Sequence, residues 1–147
     1  IFRKPCDVNA LATAALYHDA SEILTGDLPT PIKYHNAEIM SAYHAVEDLA
    51  VQKLLGMLPP ELRETYAAVL SEDKDGDIYP LVKAADKLSA YIKCIEERKA
   101  GNNEFLSAEA QTRAALEASP LPEVQYFLEH FIPAFERDLD ELGAIGQ

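Results

Sequence analysis

Apolar residues recur along this chain at the three- and four-residue spacing of α-helices, and proline and glycine separate the apolar runs. The strict alternation of apolar and polar residues that is typical of β-strands does not occur. The pattern therefore predicts an all-α fold of about six helices. The first follows a cap at Asp7 or Asn9 and runs to about Leu24. The others are expected at about 36–58, 61–70, 78–99, 107–118 and 123–142, and Pro133 should kink or split the last one.

The fourth predicted helix combines an apolar stripe with one carboxylate. We expect the stripe to be buried, and it consists of Leu81, Val82, Ala85, Leu88, Ile92 and Ile95. Asp86 lies at the edge of this stripe. One interpretation places its carboxylate in solvent, paired with Lys83 or Lys87, as for most aspartates on helix surfaces. The other places it in a site shared with another helix.

Three ionisable residues interrupt the apolar pattern of the first predicted helix. At about 100° per residue, His18, Asp19 and Glu22 fall on the face that also carries small apolar residues. Because a buried charge needs a partner, this cluster favours a bound divalent cation. A hydrogen-bonded histidine within the core is the alternative for His18.

The composition sets the class of protein and disfavours several partners. With 147 residues and 48% hydrophobic content, the chain has the size of one globular domain. A net charge of −12 disfavours nucleic acid polymers, although a bound cation can still accommodate a small phosphorylated molecule. We find no membrane span and no secretory signal, and therefore expect a cytoplasmic protein. The two cysteines, Cys6 and Cys94, are then expected to be free, buried thiols.

The adjacent His18 and Asp19, followed far downstream by the helical Asp86, resemble the signature of HD-domain metal-dependent phosphohydrolases. The likeness is closer to the bacterial 5′-deoxynucleotidases of the YfbR type, and it covers nearly the whole chain in the same order. The segments that carry it are YHDASEILTGDLPTP at 17–31, LVKAAD at 81–86, YIKCIEE at 91–97 and AGNNEFL at 100–106. A lone His-Asp pair would be a weak signal, whereas this series is specific.

The resemblance implies a single HD-type helical bundle over residues 1–147 that removes phosphate from 5′-deoxynucleoside monophosphates. It also implies one divalent cation (Co²⁺, Mn²⁺, Zn²⁺ or Fe²⁺), with His18, Asp19 and Asp86 as three of its ligands, and a homodimer. A fourth ligand of the family is a histidine on a more amino-terminal helix. That histidine has no counterpart here, so we expect an upstream segment before Ile1.

Further residues are expected to act on the substrate. Glu22 can orient or deprotonate the attacking water, and it or Asp27 can protonate the leaving oxygen. The alternative role of Glu22 is that of a helix-end carboxylate paired with Lys33. Asp27 lies in a stiff, proline-containing loop, where it either binds the 3′-hydroxyl of the sugar or only caps the turn. Thr30 and Lys33 are further expected substrate contacts.

Two alternatives remain open from the sequence. Another HD phosphohydrolase, acting on a different nucleotide or on a phosphodiester, would keep the same ligands. A non-catalytic helical scaffold would keep the fold without the metal.

Overall fold

The computed structural model describes residues 5–28, 32, 35–71 and 76–143. Every regular element within these ranges is an α-helix, which confirms the all-α prediction. We number the helices α1 to α9 in chain order. Their bounds are Val8–Tyr17, Glu22–Thr25, Ala37–Met57, Pro60–Leu70, Tyr79–Lys99, Leu106–Glu117, Pro122–His130, Ile132–Glu136 and Leu139–Gly143. Each helix in this part of the chain is too short or too polar to cross a lipid bilayer.

The ends of several helices follow from the local sequence. Asp7 caps α1, because its carboxylate accepts two backbone N–H groups at 3.0 Å. Asn36 caps α3 in the same way, with one N–H group at 2.8 Å. Pro60 begins α4, where the N–H that proline lacks would have no partner within the helix. These signals explain why the boundaries of α3 and α4 agree closely with the prediction.

The first predicted helix is divided, and its predicted extent to Leu24 is wrong. The helix α1 ends at Tyr17, and a turn with hydrogen bonds between residues three apart connects it to α2. In this turn the N–H of Ala20 lies 3.0 Å from the carbonyl oxygen of Tyr17. Because residues 18–21 lie in turns and not in a continuous α-helix, the α-helical spacing from which the common face of His18, Asp19 and Glu22 was predicted does not apply there.

The last predicted helix is divided as well, into α7, α8 and α9. The chain leaves helical geometry at Phe131, and Pro133 lies in the first turn of α8. Since proline cannot donate the hydrogen bond that would join α8 to α7, the predicted split at this proline is confirmed.

The described residues form two compact units: those within 6–82 make up the first unit, and those within 83–143, together with Pro5, make up the second. In the first unit α4 packs against α1 and α3, and α2 packs against α3. In the second unit the core joins α5 to α6, α7 and α8, with Tyr91, Ile95, Leu116, Val124 and Ile132 buried. The helix α5 is continuous, with its first turn in the first unit and the remainder in the second.

The buried face of α5 differs from the predicted stripe in one position. Val82 and Ile95 are buried as expected, and Leu88 is half-buried, but Ala85 is exposed. The large ring of Tyr91, which is only 1% exposed, lies in the core instead. An aromatic ring buries far more apolar area than an alanine methyl group, so the orientation of α5 follows Tyr91.

The two cysteines are free, as predicted, but only Cys94 is partly buried. Cys6 is exposed just before α1, so the prediction of two buried thiols is wrong for this residue.

Candidate active site

His18 lies in the turn after α1, with its ring fixed from one side. Its side chain is 16% exposed, and Nδ1 lies 2.8 Å from the carbonyl oxygen of Ala15. A carbonyl oxygen can only accept a hydrogen bond, so Nδ1 carries a proton. In a neutral imidazole this leaves the lone pair on Nε2, the other ring nitrogen.

The second ring nitrogen of His18 faces the neighbouring carboxylate. Nε2 lies 3.1 Å from Oδ2 of Asp19, whose side chain is 54% exposed. A lone pair and a negative charge this close are stabilised by a shared positive charge, either a proton or a metal ion. Metal-binding histidines usually donate their other N–H to a carbonyl or carboxylate, as His18 does to Ala15. The pair therefore fits a divalent cation.

A cleft with a volume of about 380 Å³ lies beside His18 in the first unit. Thr13 and Ala14 of α1 line one wall, and Tyr79 and Val82 of α5 line another. The lining combines apolar side chains with hydroxyl groups, the carboxylate of Asp7, the amide of Asn9 and the imidazole of His18. Such a lining is typical of clefts that bind small organic molecules.

Asp86 is exposed on α5, four residues after Val82. Residues four apart lie on the same face of a helix, about one turn from each other. Along α5, the face that carries Val82 therefore also carries the Asp86 carboxylate one turn further on. This placement on α5 agrees with the predicted helix.

Glu22 and Asp27 lie at opposite ends of α2. Glu22 is half-buried at the start of this helix, and Asp27 is exposed immediately after Gly26. Gly26 has a φ of 70°, which residues with a side chain rarely adopt, and its N–H lies 2.9 Å from the carbonyl oxygen of Glu22. The predicted substrate contacts Thr30 and Lys33 lie outside the described residues.

Tyr43 of α3 belongs to this region, although the sequence pattern does not identify it. Its hydroxyl group donates to the carbonyl oxygen of Gly26 across 3.1 Å. In the sequence, Tyr43 is only one of the apolar residues whose helical spacing predicts α3. No local pattern links two residues that lie 17 positions apart, so only the packing of α2 on α3 could have indicated this contact.

These features define an all-helical protein that presents an imidazole and a carboxylate beside a cleft. A family model for YfbR-like 5′-deoxynucleotidases matches residues 1–135, and the chain belongs to this family. The resemblance seen in the sequence is thereby confirmed. The 5′-deoxynucleotidase YfbR of Shigella flexneri serotype 5b (strain 8401) is 52% identical over 140 residues, which cover 93% of this chain and 70% of that protein. The 5′-deoxynucleotidase YfbR of Escherichia coli (strain K12 / DH10B) has the same identity and coverage.

Proposed function

We propose that this protein is a metal-dependent phosphomonoesterase that hydrolyses 5′-deoxynucleoside monophosphates to deoxynucleosides and inorganic phosphate. The observation that carries the proposal is its 52% identity to 5′-deoxynucleotidases across 93% of the chain. The His18–Asp19 pair beside a cleft supports it, because hydrolysis of a phosphate ester needs charge stabilisation next to a substrate pocket.

We propose that His18, Asp19 and Asp86 hold one divalent cation, with Co²⁺, Mn²⁺, Zn²⁺ and Fe²⁺ as the candidates. They offer one imidazole nitrogen and two carboxylate oxygens, a mixed donor set that suits these borderline metals. The proton on Nδ1 of His18 supports this assignment, since it leaves Nε2 as the donor. When bound, the cation supplies a Lewis acid for the phosphoryl oxygens and lowers the pKa of a bound water.

Glu22 is proposed as the acid and base of the reaction. Its carboxylate takes a proton from the attacking water while the new oxygen–phosphorus bond forms. The bond between phosphorus and the 5′ oxygen of the nucleoside breaks, and Glu22 or Asp27 returns a proton to that oxygen. The half-buried position of Glu22 at the start of α2 supports the role, because partial removal from water strengthens its interaction with a reacting group.

Asp27, Thr30 and Lys33 are proposed to contact the substrate. A carboxylate can accept a hydrogen bond from the 3′-hydroxyl of the sugar, and a lysine can balance the charge of the phosphate. The exposed position of Asp27 directly after Gly26, which has a positive φ, supports its part of this assignment.

The protein is further proposed to act as a homodimer in the cytoplasm. Large apolar side chains are exposed in the first unit, with Leu16 at 77%, Ile23 at 76% and Met57 at 70%. Exposed apolar area favours association with another surface. Light scattering of the purified protein measures the number of chains directly.

The proposed activity is tested by release of inorganic phosphate from metal-stripped protein that is resupplied with Mn²⁺ or Co²⁺. We expect rapid release from 5′-deoxynucleoside monophosphates and much slower release from the 5′-ribonucleotides and the 3′-monophosphates. Equal rates on ribo- and deoxyribonucleotides would favour a different HD phosphohydrolase. Failure both to bind either cation and to release phosphate would favour a scaffold.

A further inference from the structure

The loop that carries Asp27 is held in place from a neighbouring helix. The hydroxyl of Tyr43 on α3 donates to the carbonyl oxygen of Gly26 across 3.1 Å, and α2 packs against α3. We propose that Tyr43 is a positioning residue that fixes the peptide group between Gly26 and Asp27, and through it the direction of the Asp27 carboxylate. This inference rests on the proposed function, in which Asp27 contacts the sugar.

The backbone of Gly26 has a defined hydrogen-bond partner on each side. Its N–H lies 2.9 Å from the carbonyl oxygen of Glu22, which closes α2. Its carbonyl oxygen accepts from Tyr43 and also from Oγ1 of Thr25, at 2.9 Å. A carbonyl oxygen has two lone pairs, so these two donors account for both.

These contacts determine how the peptide group can move. Rotation of the plane between Gly26 and Asp27 would break the bonds from Tyr43 and Thr25 together. Glycine at φ 70° has no side chain to resist such a rotation, so the restraint must come from these donors. Thr25 belongs to the same short helix and would move with it. Tyr43 belongs to the 21-residue helix α3, so its hydroxyl group holds the Gly26 carbonyl in place relative to that helix.

The predicted kinetic signature follows from the roles of the two carboxylates. A loosened Asp27 contacts the sugar less often in the ground state and in the transition state alike, which raises KM and leaves kcat nearly unchanged. Glu22 keeps its place in α2, whose backbone bonds do not involve Tyr43. We expect Tyr43→Phe to raise KM for a 5′-deoxynucleoside monophosphate about 2- to 10-fold, the usual range for one lost hydrogen bond.

The test compares Tyr43→Phe with Tyr66→Phe, a control that removes the hydroxyl of another tyrosine in the same unit. The control should keep the KM of the original protein. In an Asp27→Asn background, Tyr43→Phe should change KM no further, because both substitutions act on the same contact. An unchanged KM in Tyr43→Phe, or full additivity with Asp27→Asn, would overturn the inference.

Hydrogen exchange separates a failure of this inference from a failure of the proposed function. Amide exchange at Gly26, whose N–H is bonded to the carbonyl oxygen of Glu22, should be faster in Tyr43→Phe than in the original protein, while exchange within α3 stays the same. This measurement needs no substrate, so it also decides the matter if the protein releases no phosphate. Equal exchange at Gly26 would show that Tyr43 does not restrain the loop.

Discussion

At the scale of single residues, the turn after α1 separates two of the proposed metal ligands from the proposed acid and base. His18 and Asp19 lie in the turn itself, with 3.1 Å between ring nitrogen and carboxylate, while Glu22 begins a separate short helix. The two proposed roles therefore belong to different elements. Substitution of His18 or Asp19 should therefore leave Glu22 in place, and substitution of Glu22 should leave the His18–Asp19 pair in place.

Replacement of Asp86 and Glu22 by alanine should separate metal binding from turnover. We expect Asp86→Ala to weaken Mn²⁺ affinity more than about tenfold, since loss of even an outer-shell partner costs 10- to 100-fold. Glu22→Ala should retain the cation and lose about 100-fold or more in kcat, the lower range for general acid–base catalysis. Calorimetric titration with Mn²⁺ and phosphate release measure the two effects.

Asp48→Ala is the matched control for these variants, because Asp48 is an exposed helical aspartate on α3. It should change neither the affinity nor the rate. Full activity in both Asp86→Ala and Glu22→Ala would show that the roles are wrongly assigned.

The two cysteines should differ in reactivity. Burial, and then the nearby Glu109 and Glu97, raise the pKa of the Cys94 thiol. Less of it is therefore ionised at pH 8, and only the thiolate reacts with iodoacetamide. We expect Cys94, measured in Cys6→Ser, to react several-fold more slowly than Cys6, measured in Cys94→Ser, and to accelerate as the pH rises to 9. Similar rates at pH 8 would argue against a protected Cys94.

The sequence identified candidate site residues but not their surroundings. His18, Asp19 and Glu22 stood out because charged side chains interrupted an apolar pattern. The bond from Nδ1 of His18 to Ala15 and the contact of Tyr43 with Gly26 could not be predicted, because both depend on how the backbone turns after Tyr17.

At the scale of elements, side chains join the helices of the second unit at their ends. Arg98 of α5 binds Glu109 of α6 at 2.9 Å and Glu136 of α8 at 2.8 Å, and these hydrogen bonds raise the pKa of its guanidinium. Nε2 of Gln125 on α7 lies 3.1 to 3.2 Å from the carbonyl oxygens of Leu116, Glu117 and Ser119, so its two N–H groups are shared among three acceptors. The Leu116 oxygen also accepts the N–H of Ser119 at 3.0 Å, and the Gln125 amide adds donors at the end of α6, where carbonyl groups lack the usual helical partner.

Substitution of Gln125 should destabilise this helix end. We expect Gln125→Met, which keeps the length of the side chain but removes the donor, to lower the free energy of unfolding by about 1 kcal/mol. Gln125→Glu should lower it further at pH 7, because a carboxylate would face three carbonyl oxygens. Urea denaturation measures both, with Gln52→Met on the exposed side of α3 as the control. No difference between the Gln125 and Gln52 variants would contradict the capping role.

The helix ends were predictable where proline or a capping side chain marks them, as at Asp7, Asn36 and Pro60. The break after Tyr17 carries no such mark, because alanine, leucine and glutamate on both sides all favour a helix. After Tyr17, hydrogen bonds between residues three apart and the bond from the His18 ring to the Ala15 carbonyl replace the α-helical bonds, although the intrinsic propensity of the residues favours a helix. Similarly, the exposed Ala85 shows that the packing of a neighbouring large ring decides which face of a helix is buried.

At the scale of the whole molecule, the net charge of −12 should make stability depend on salt. Like charges repel each other most in the compact state, and the Debye length falls from about 30 Å at 10 mM salt to about 8 Å at 150 mM. We expect the midpoint of thermal unfolding to rise over this range of NaCl in differential scanning calorimetry. A falling midpoint would mean that screening of favourable pairs such as Arg98 with Glu109 outweighs the relief of repulsion.

The continuity of α5 links the core of the second unit to Asp86, a proposed metal ligand. Asp86 lies less than two turns from Tyr91 and less than three from Ile95, both buried in the core of the second unit. Because a helix rotates as a rigid rod, any repacking that turns α5 also redirects the Asp86 carboxylate. Genetic selections for loss of phosphate release should therefore return conservative changes at Tyr91 and Ile95, although both side chains are buried in the core.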